Sequence, residues 1–134
     1  MGVIYLDTCI LVYALEDTGP RGDIVRARIA ARPDVTFAVS PLVTLELLVG
    51  PLRNDDLELR DHYVAFLAQF RRLPLTENEF FRAAELRARH NLRTPDALHL
   101  AAAQLSGCDE LWTNDSRLAV ASHGLAANVL TLER

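Results

Sequence analysis

The sequence predicts an α/β protein: one three-layer α/β/α domain over residues 1–134, with helices on both faces of a central, mainly parallel sheet. Three observations carry that prediction. Short apolar runs such as Val3-Ile4-Tyr5-Leu6 have the continuous character of strands buried on both faces. Such runs alternate with stretches of helical periodicity. Caps, prolines and glycines punctuate the boundaries.

The first strand, Val3-Ile4-Tyr5-Leu6, stops at Asp7-Thr8, and Cys9 to Leu15 reads as a short helix that ends before Asp17-Thr18-Gly19-Pro20. Asp23 to Ala31 forms an amphipathic helix with Val25, Arg28 and Ile29 along one side, closed by Arg32-Pro33-Asp34. Thr36 to Val39 is the second strand. Ser40 as N-cap and Pro41 at the first helical position open a helix to about Val49, with Gly50-Pro51 as its stop. Asp56 to Phe70 is a longer helix presenting Leu59, Tyr63, Phe66, Leu67 and Phe70 on one face. Leu73-Pro74-Leu75 suits a short edge strand, since proline cannot donate to a central ladder. Thr76 and Glu79 make a capping box for a helix to about His90, with Asn91 as a left-handed C′ residue. Thr94 and Pro95 repeat the cap-and-proline pattern. The helix they open has an apolar stripe at Leu98, Ala101, Ala102 and Leu105 and ends at Gly107. Leu111-Trp112-Thr113 is the next strand, Ser116 to Ser122 a helix closed by His123-Gly124, and Val129-Leu130-Thr131-Leu132 a last strand.

Composition narrows the function classes. Half the residues are hydrophobic, so a folded core is expected. No apolar run reaches the ~20 residues of a membrane span, and the N-terminus lacks the basic start and cleavage site of a secretory signal. The expected location is the cytoplasm. Two cysteines, Cys9 and Cys108, make neither a disulfide framework nor a thiolate metal site and read as small core residues. A net charge of −4 argues against a nonspecific duplex-DNA binder. All 14 basic residues are arginine. That fits bidentate phosphate recognition as well as compositional bias, and it removes chemistry that needs a lysine base, a Schiff base or a phosphate-loop lysine.

Of 18 acids, most sit where solvated charges and caps belong. Asp7, Glu46, Asp96 and Asp115 differ, because each interrupts an apolar segment or ends one at the same rim of the sheet. In an α/β fold that rim, at the carboxyl ends of strands and the amino ends of helices, is where ligands bind. Glu46 lies on the otherwise apolar helix Leu42 to Val49, where an uncompensated carboxylate costs several kcal/mol (roughly). The compensators expected for it are an arginine or a divalent cation. Converging carboxylates raise one another's pKa, and a hard cation such as Mg²⁺ or Mn²⁺ reverses that penalty. The sequence holds no Cys/His zinc spacing, no glycine-rich phosphate loop and no G-x-S-x-G elbow. Carboxylate-held Mg²⁺ is typically used on phosphates, so phosphodiester hydrolysis is the first expectation.

Four segments taken together resemble the PIN-domain ribonucleases, and most closely the VapC toxins of bacterial toxin–antitoxin pairs. They are Val3-Ile4-Tyr5-Leu6-Asp7-Thr8, Glu46 on its helix, the stretch RTPDALHLAAA from Arg93 to Ala103, and Leu111-Trp112-Thr113-Asn114-Asp115. The likeness covers nearly the whole chain, with the four acids in the family's order. It implies an endoribonuclease dependent on Mg²⁺ or Mn²⁺ and acting on structured RNA such as tRNA or ribosomal RNA. It also implies a homodimer, blocked by a small VapB-like antitoxin, and the option of a higher toxin–antitoxin assembly. By motif Asp7, Glu46, Asp96 and Asp115 would be the acidic quartet that binds metal and carries catalysis. Thr113 matches the hydroxyl residue that precedes the last acid.

Around these acids the sequence leaves choices open. Thr8, Asn114 and Ser116 either position water or cap the helices that follow, and capping is the stronger reading for Ser116. Arg87, Arg89 and Arg93 either bind RNA phosphates or form a solvated face paired with Glu85. His99, one turn after Asp96, is read as a packing residue rather than as a partner of a ligand carboxylate. Tyr63, Phe66 and Phe70 read as core or dimer packing and Trp112 as core. Two other function classes compete. A receiver- or phosphatase-like domain with a phosphorylated Asp7 would want a late-strand lysine or Asp-x-Asp, and Cys9 stands where that second acid would fall. A non-catalytic acidic module would grip an arginine-rich partner.

Overall fold

A computed structural model describes residues 2–130. Five strands form one sheet in the order β3-β2-β1-β4-β5, and every neighbouring pair is parallel. They are β1 (Val3–Leu6), β2 (Thr36–Val39), β3 (Arg71–Arg72), β4 (Glu110–Thr113) and β5 (Ala126–Asn128). Seven helices connect and flank them: α1 (Thr8–Glu16), α2 (Pro20–Ala30), α3 (Pro41–Arg53), α4 (Leu57–Leu67), α5 (Glu77–Arg89), α6 (Thr94–Leu105) and α7 (Ser116–Ala121). The expected α/β architecture is therefore present, with a wholly parallel sheet among the described residues. None of these helices is long and apolar enough to cross a membrane.

The core follows from the apolar runs. Ile4, Tyr5 and Leu6 in β1 and Leu111 and Trp112 in β4 are buried, and seven consecutive α6 residues from Ala97 to Ala103 are buried against them. Tyr5 pairs with Ala38 on one side and Leu111 on the other, so β1 is the central strand. Alanines at 97, 101, 102 and 103 let α6 lie close to the sheet, because their short side chains leave no ridge to climb over. α1 and α2 also approach closely at Gly22, where a Cβ would lie 1.8 Å from the Asp17 carbonyl oxygen.

Several boundaries differ from the sequence reading, each for a local reason. α3 runs through Gly50-Pro51 to Arg53. Pro51 lacks an N–H for the Leu47 carbonyl, but its ring is buried and Asn54 N–H bonds back to Gly50 O, so the helix closes one turn later. α2 begins at Pro20, which takes the first helical position, rather than at Asp23. α4 stops at Leu67, where Ala68 caps it, so Phe70 is outside the helix. The edge strand is Arg71–Arg72, with Leu73 N–H extending the pairing to Val39 O, and Pro74 falls beyond it. Arg93, not Thr94, is the N-cap of α6, and Thr94 Oγ1 instead accepts from Arg87. Ser40 occupies the N-cap of α3 without capping it. α5 ends with His90 extended (φ −128°), so Asn91 forms no left-handed cap. Gly107 (φ 69°) takes the left-handed turn expected of it, and His123 (φ 53°) and Gly124 (φ 94°), read as the end of a helix, are left-handed as well. The last strand is Ala126–Asn128 rather than Val129 to Leu132; Val129 and Leu130 turn, and Thr131 and Leu132 lie outside the described residues.

Candidate active site

The four acids singled out in the sequence line one cavity of about 250 Å³, together with Thr8, Cys9, Arg93, Pro95, His99 and Asn114. Its place follows from the topology. β1 and β4 are neighbours at the centre of the sheet, and the chain leaves β1 toward β2 but returns to β4 on the opposite side. A crevice opens at the carboxyl ends of strands where the connections diverge in this way.

Asp7 follows the last residue of β1 and is anchored there by Asp7 N–H bonding to Trp112 O at 3.0 Å. Its Oδ1 accepts from Thr8 N–H at 2.7 Å, capping α1, and its Oδ2 accepts from the buried Thr113 hydroxyl at 2.8 Å. Thr113 Oγ1 also accepts from Asp115 N–H at 3.1 Å, so one hydroxyl ties the ends of β1 and β4 together. Asp115 is the N-cap of α7, accepting from Arg117 N–H at 2.9 Å and from its guanidinium at 3.2 and 3.3 Å. Ser116 therefore follows the cap rather than being it. Burial pushes the Asp115 carboxyl up, but the bonds and charge of Arg117, with Arg93 behind them, carry it below the usual carboxylate range. Asp96 sits in the first turn of α6, where the helix dipole favours its charge, and takes Arg93 Nε at 3.1 Å.

Glu46 projects from α3 into the same cavity. Its side-chain hydrogen-bond partners are two donors the sequence reading did not name for it, Thr8 Oγ1 at 2.6 Å and His99 Nε2 at 2.7 Å, while the charge of Arg93 acts on it from the rim. Burial raises its carboxyl, and the bonds from His99 and Thr8 outweigh that and lower it overall. His99 is thus more than packing: 1% exposed, it holds Glu46 with one ring nitrogen and meets Tyr5 with the other. The spacing from Asp96 to His99 placed it near the site, but Tyr5 and Ser40 behind it carried no sequence signal beyond a phenol on an apolar strand. Arg117 was missed altogether.

The other candidates divide. Thr8 is a hydrogen-bond donor within the site, and Arg93 stands at its rim with its side chain 68% exposed. Arg87 is used structurally, donating to Leu92 O at 3.1 Å and Thr94 Oγ1 at 2.9 Å across the α5–α6 connection. Arg89 is exposed in the last turn of α5 and does not line the cavity. Asn114 bridges the Tyr13 hydroxyl and the Cys9 thiol. Burial and the charge of Asp7 push that thiol up to about 12, which keeps it protonated at neutral pH.

As placed, no three Asp, Glu, His or Cys side chains among the described residues stand close enough together to hold a metal ion. The donor chemistry nevertheless fits a hard cation: four carboxylates and hydroxyls, no thiolate pair and no lysine. Mg²⁺ in particular keeps several waters and needs only one or two carboxylates directly.

Comparison with known proteins bears on the family and the fold. The family model described as PIN domain matches residues 4–124. A toxin–antitoxin complex from Klebsiella pneumoniae contains a chain similar to this one at 25% identity and a TM-score of 0.77, covering 94% of this chain and 97% of that one. VapBC2 from Rickettsia felis, bound to a promoter DNA fragment, matches at 20% identity and a TM-score of 0.80, covering 94% and 98%. VapC20 from Mycobacterium tuberculosis, described as a toxin that cleaves the sarcin–ricin loop, matches at 19% and 0.75, covering 88% and 94%. No curated protein matches the sequence at a significant level.

Proposed function

The chain belongs to the PIN domain family, and from that premise we propose that it is a metal-dependent endoribonuclease, the toxin of a bacterial toxin–antitoxin pair. PIN domain toxins are nucleases, and PIN domain nucleases generally use divalent metal ions. The observation that carries the proposal is the single cavity lined by Asp7, Glu46, Asp96 and Asp115 at the carboxyl ends of β1 and β4.

In this reading the four acids hold Mg²⁺ or Mn²⁺, which when bound would neutralise charge on the scissile phosphate and generate a water-derived nucleophile. The remaining chemistry belongs to the chain itself. Thr113 fixes Asp7, Thr8 and His99 fix Glu46, and these bonds keep the acids from turning away from one another. Arg93 and Arg117 flank Asp96 and Asp115, where a planar guanidinium can exchange a carboxylate partner for an RNA phosphate. A net charge of −4 gives little general attraction to nucleic acid, so local arginines must provide the phosphate contacts. Structured RNA, tRNA or ribosomal RNA, is the proposed substrate class. The recurrence of antitoxin complexes among the similar structures supports a VapB-like antitoxin as partner; a homodimer is the oligomeric state proposed for the toxin.

The test is cleavage of total cellular RNA by purified protein with Mg²⁺ or Mn²⁺. Asp96→Asn keeps the side-chain size while removing the charge, and is expected to lower the rate at least about a hundredfold, the scale of losing one essential electrostatic group. Cleavage by Asp96→Asn at the rate of the unsubstituted protein would remove the catalytic assignment.

A further inference from the structure

Behind the acidic cavity lies a line of polar side chains that apolar packing gives no reason to bury. Ser40 Oγ is 2.8 Å from the Tyr5 hydroxyl, that hydroxyl is 2.6 Å from His99 Nδ1, and His99 Nε2 is 2.7 Å from Glu46 Oε1. Ser40 and Tyr5 are 0% exposed and His99 is 1% exposed. The line runs from the N-cap of α3, just past β2, through the central strand and α6 to the body of α3, and ends at the wall of the cavity.

We propose that His99, oriented by Tyr5 and Ser40, is a positioning residue that sets the Glu46 carboxylate in the cavity for its ligand. The proposal rests on the nuclease reading and deepens it. Donor counting gives the line a direction. An ionised carboxylate only accepts, so the proton between Glu46 and His99 sits on Nε2. In the neutral ring Nδ1 is then a bare acceptor in the core, and the Tyr5 hydroxyl is the donor within reach. Tyr5 accepts in turn from Ser40. Each member is satisfied by Ser40 donating to Tyr5, Tyr5 to His99, and His99 to Glu46.

Glu46 fixes the tautomer and the Tyr5–Ser40 pair fixes the rotation of the imidazole, the role that outer partners play for groups at metal centres. It also acts on one oxygen only. Thr8 and His99 both donate to Oε1, and among the described residues no side-chain donor holds Oε2. With Oε1 gripped by the protein, Oε2 is the oxygen the proposal leaves to a ligand. A network kept for stability alone would not need to end on this carboxylate.

Nitrogen-resolved NMR of the histidine rings in the metal-free full-length chain, paired with calorimetric titration of Mn²⁺, tests the proposal. Unsubstituted protein is expected to show the Nε2–H tautomer at His99. Tyr5→Phe preserves volume and lies outside the cavity lining, and it leaves the proton on Nε2 facing Glu46, yet by freeing the rotation of the ring it is expected to weaken Mn²⁺ binding about ten- to hundredfold. His99→Gln can still donate to Glu46 and is expected to retain more affinity than His99→Leu. The proposal is overturned by the Nδ1–H tautomer in the unsubstituted protein, by unchanged Mn²⁺ affinity in Tyr5→Phe, or by equal affinities of the Gln and Leu variants. Asp96→Asn separates the two levels: unchanged Mn²⁺ affinity in that variant removes the metal-site reading, while the tautomer result still decides the role of the histidine.

Discussion

Thr113 shows how much one side chain can carry. Its hydroxyl donates to Asp7 Oδ2 and accepts from Asp115 N–H while itself 1% exposed. Thr113→Val keeps the shape and leaves both groups unpartnered, which is expected to cost about 1–3 kcal/mol, read as a fall in the urea midpoint. Glu46 makes a prediction in pH. Its folded carboxyl lies below the ordinary 4.5, so its stabilising contribution is complete above that value and is lost as pH falls through the lower native one. Thr8→Val removes one of the two donors, and melting temperatures measured down the acid limb are expected to drop at higher pH than in the unsubstituted protein. The Asp115 carboxyl is lowered too and titrates in both proteins, so the difference between them reports Glu46. Single acids were legible because each ends or interrupts an apolar segment. Their partners were not, since His99 finds Glu46 across 53 positions and Tyr5 across 94, distances over which local pattern says nothing.

Helix starts were readable where the cap is a local device and misread where tertiary contacts claim it. The Thr76–Glu79 capping box on α5 forms as expected because both halves lie within one turn. Ser40 had the same local credentials for α3, but its hydroxyl belongs to Tyr5, and Thr94 was taken by Arg87. The contact between α1 and α2 depends on Gly22, whose hydrogen faces backbone oxygens of Asp17 and Tyr13 where a Cβ would lie at 1.8 and 2.8 Å. Gly22→Ala cannot be absorbed by a side-chain rotation, because the obstacle is main chain. It is expected to destabilise by about 1–3 kcal/mol or more by denaturant titration, despite alanine's better helix propensity.

For the whole molecule, alternating strands and helices gave the class, while the strand order β3-β2-β1-β4-β5 is set by which way each crossover turns and has no local signature. That order brings the acids together, and the chain holds them without outside help. Asp7, Glu46, Asp96 and Asp115 each accept hydrogen bonds from protein donors. Chelation of divalent ions is therefore expected to abolish RNA cleavage while shifting the melting temperature by no more than about 2 °C, the size of a stability change well under 1 kcal/mol. Scanning calorimetry with and without chelator checks it. Both cysteines are free, so a reductant is expected to leave the same transition unmoved.

One border of the sheet is a strand of only two residues, Arg71 and Arg72, both exposed, with Pro74 close behind. Such a margin is a poor template for a stranger's backbone: too short to register, repelled by like charge, and broken where a ladder would continue. Crowded copies of this chain are thereby guarded against zipping edge to edge into fibres. Exchanging the two arginines for valines would remove that guard, and slow growth of thioflavin-positive aggregates would be the sign of it.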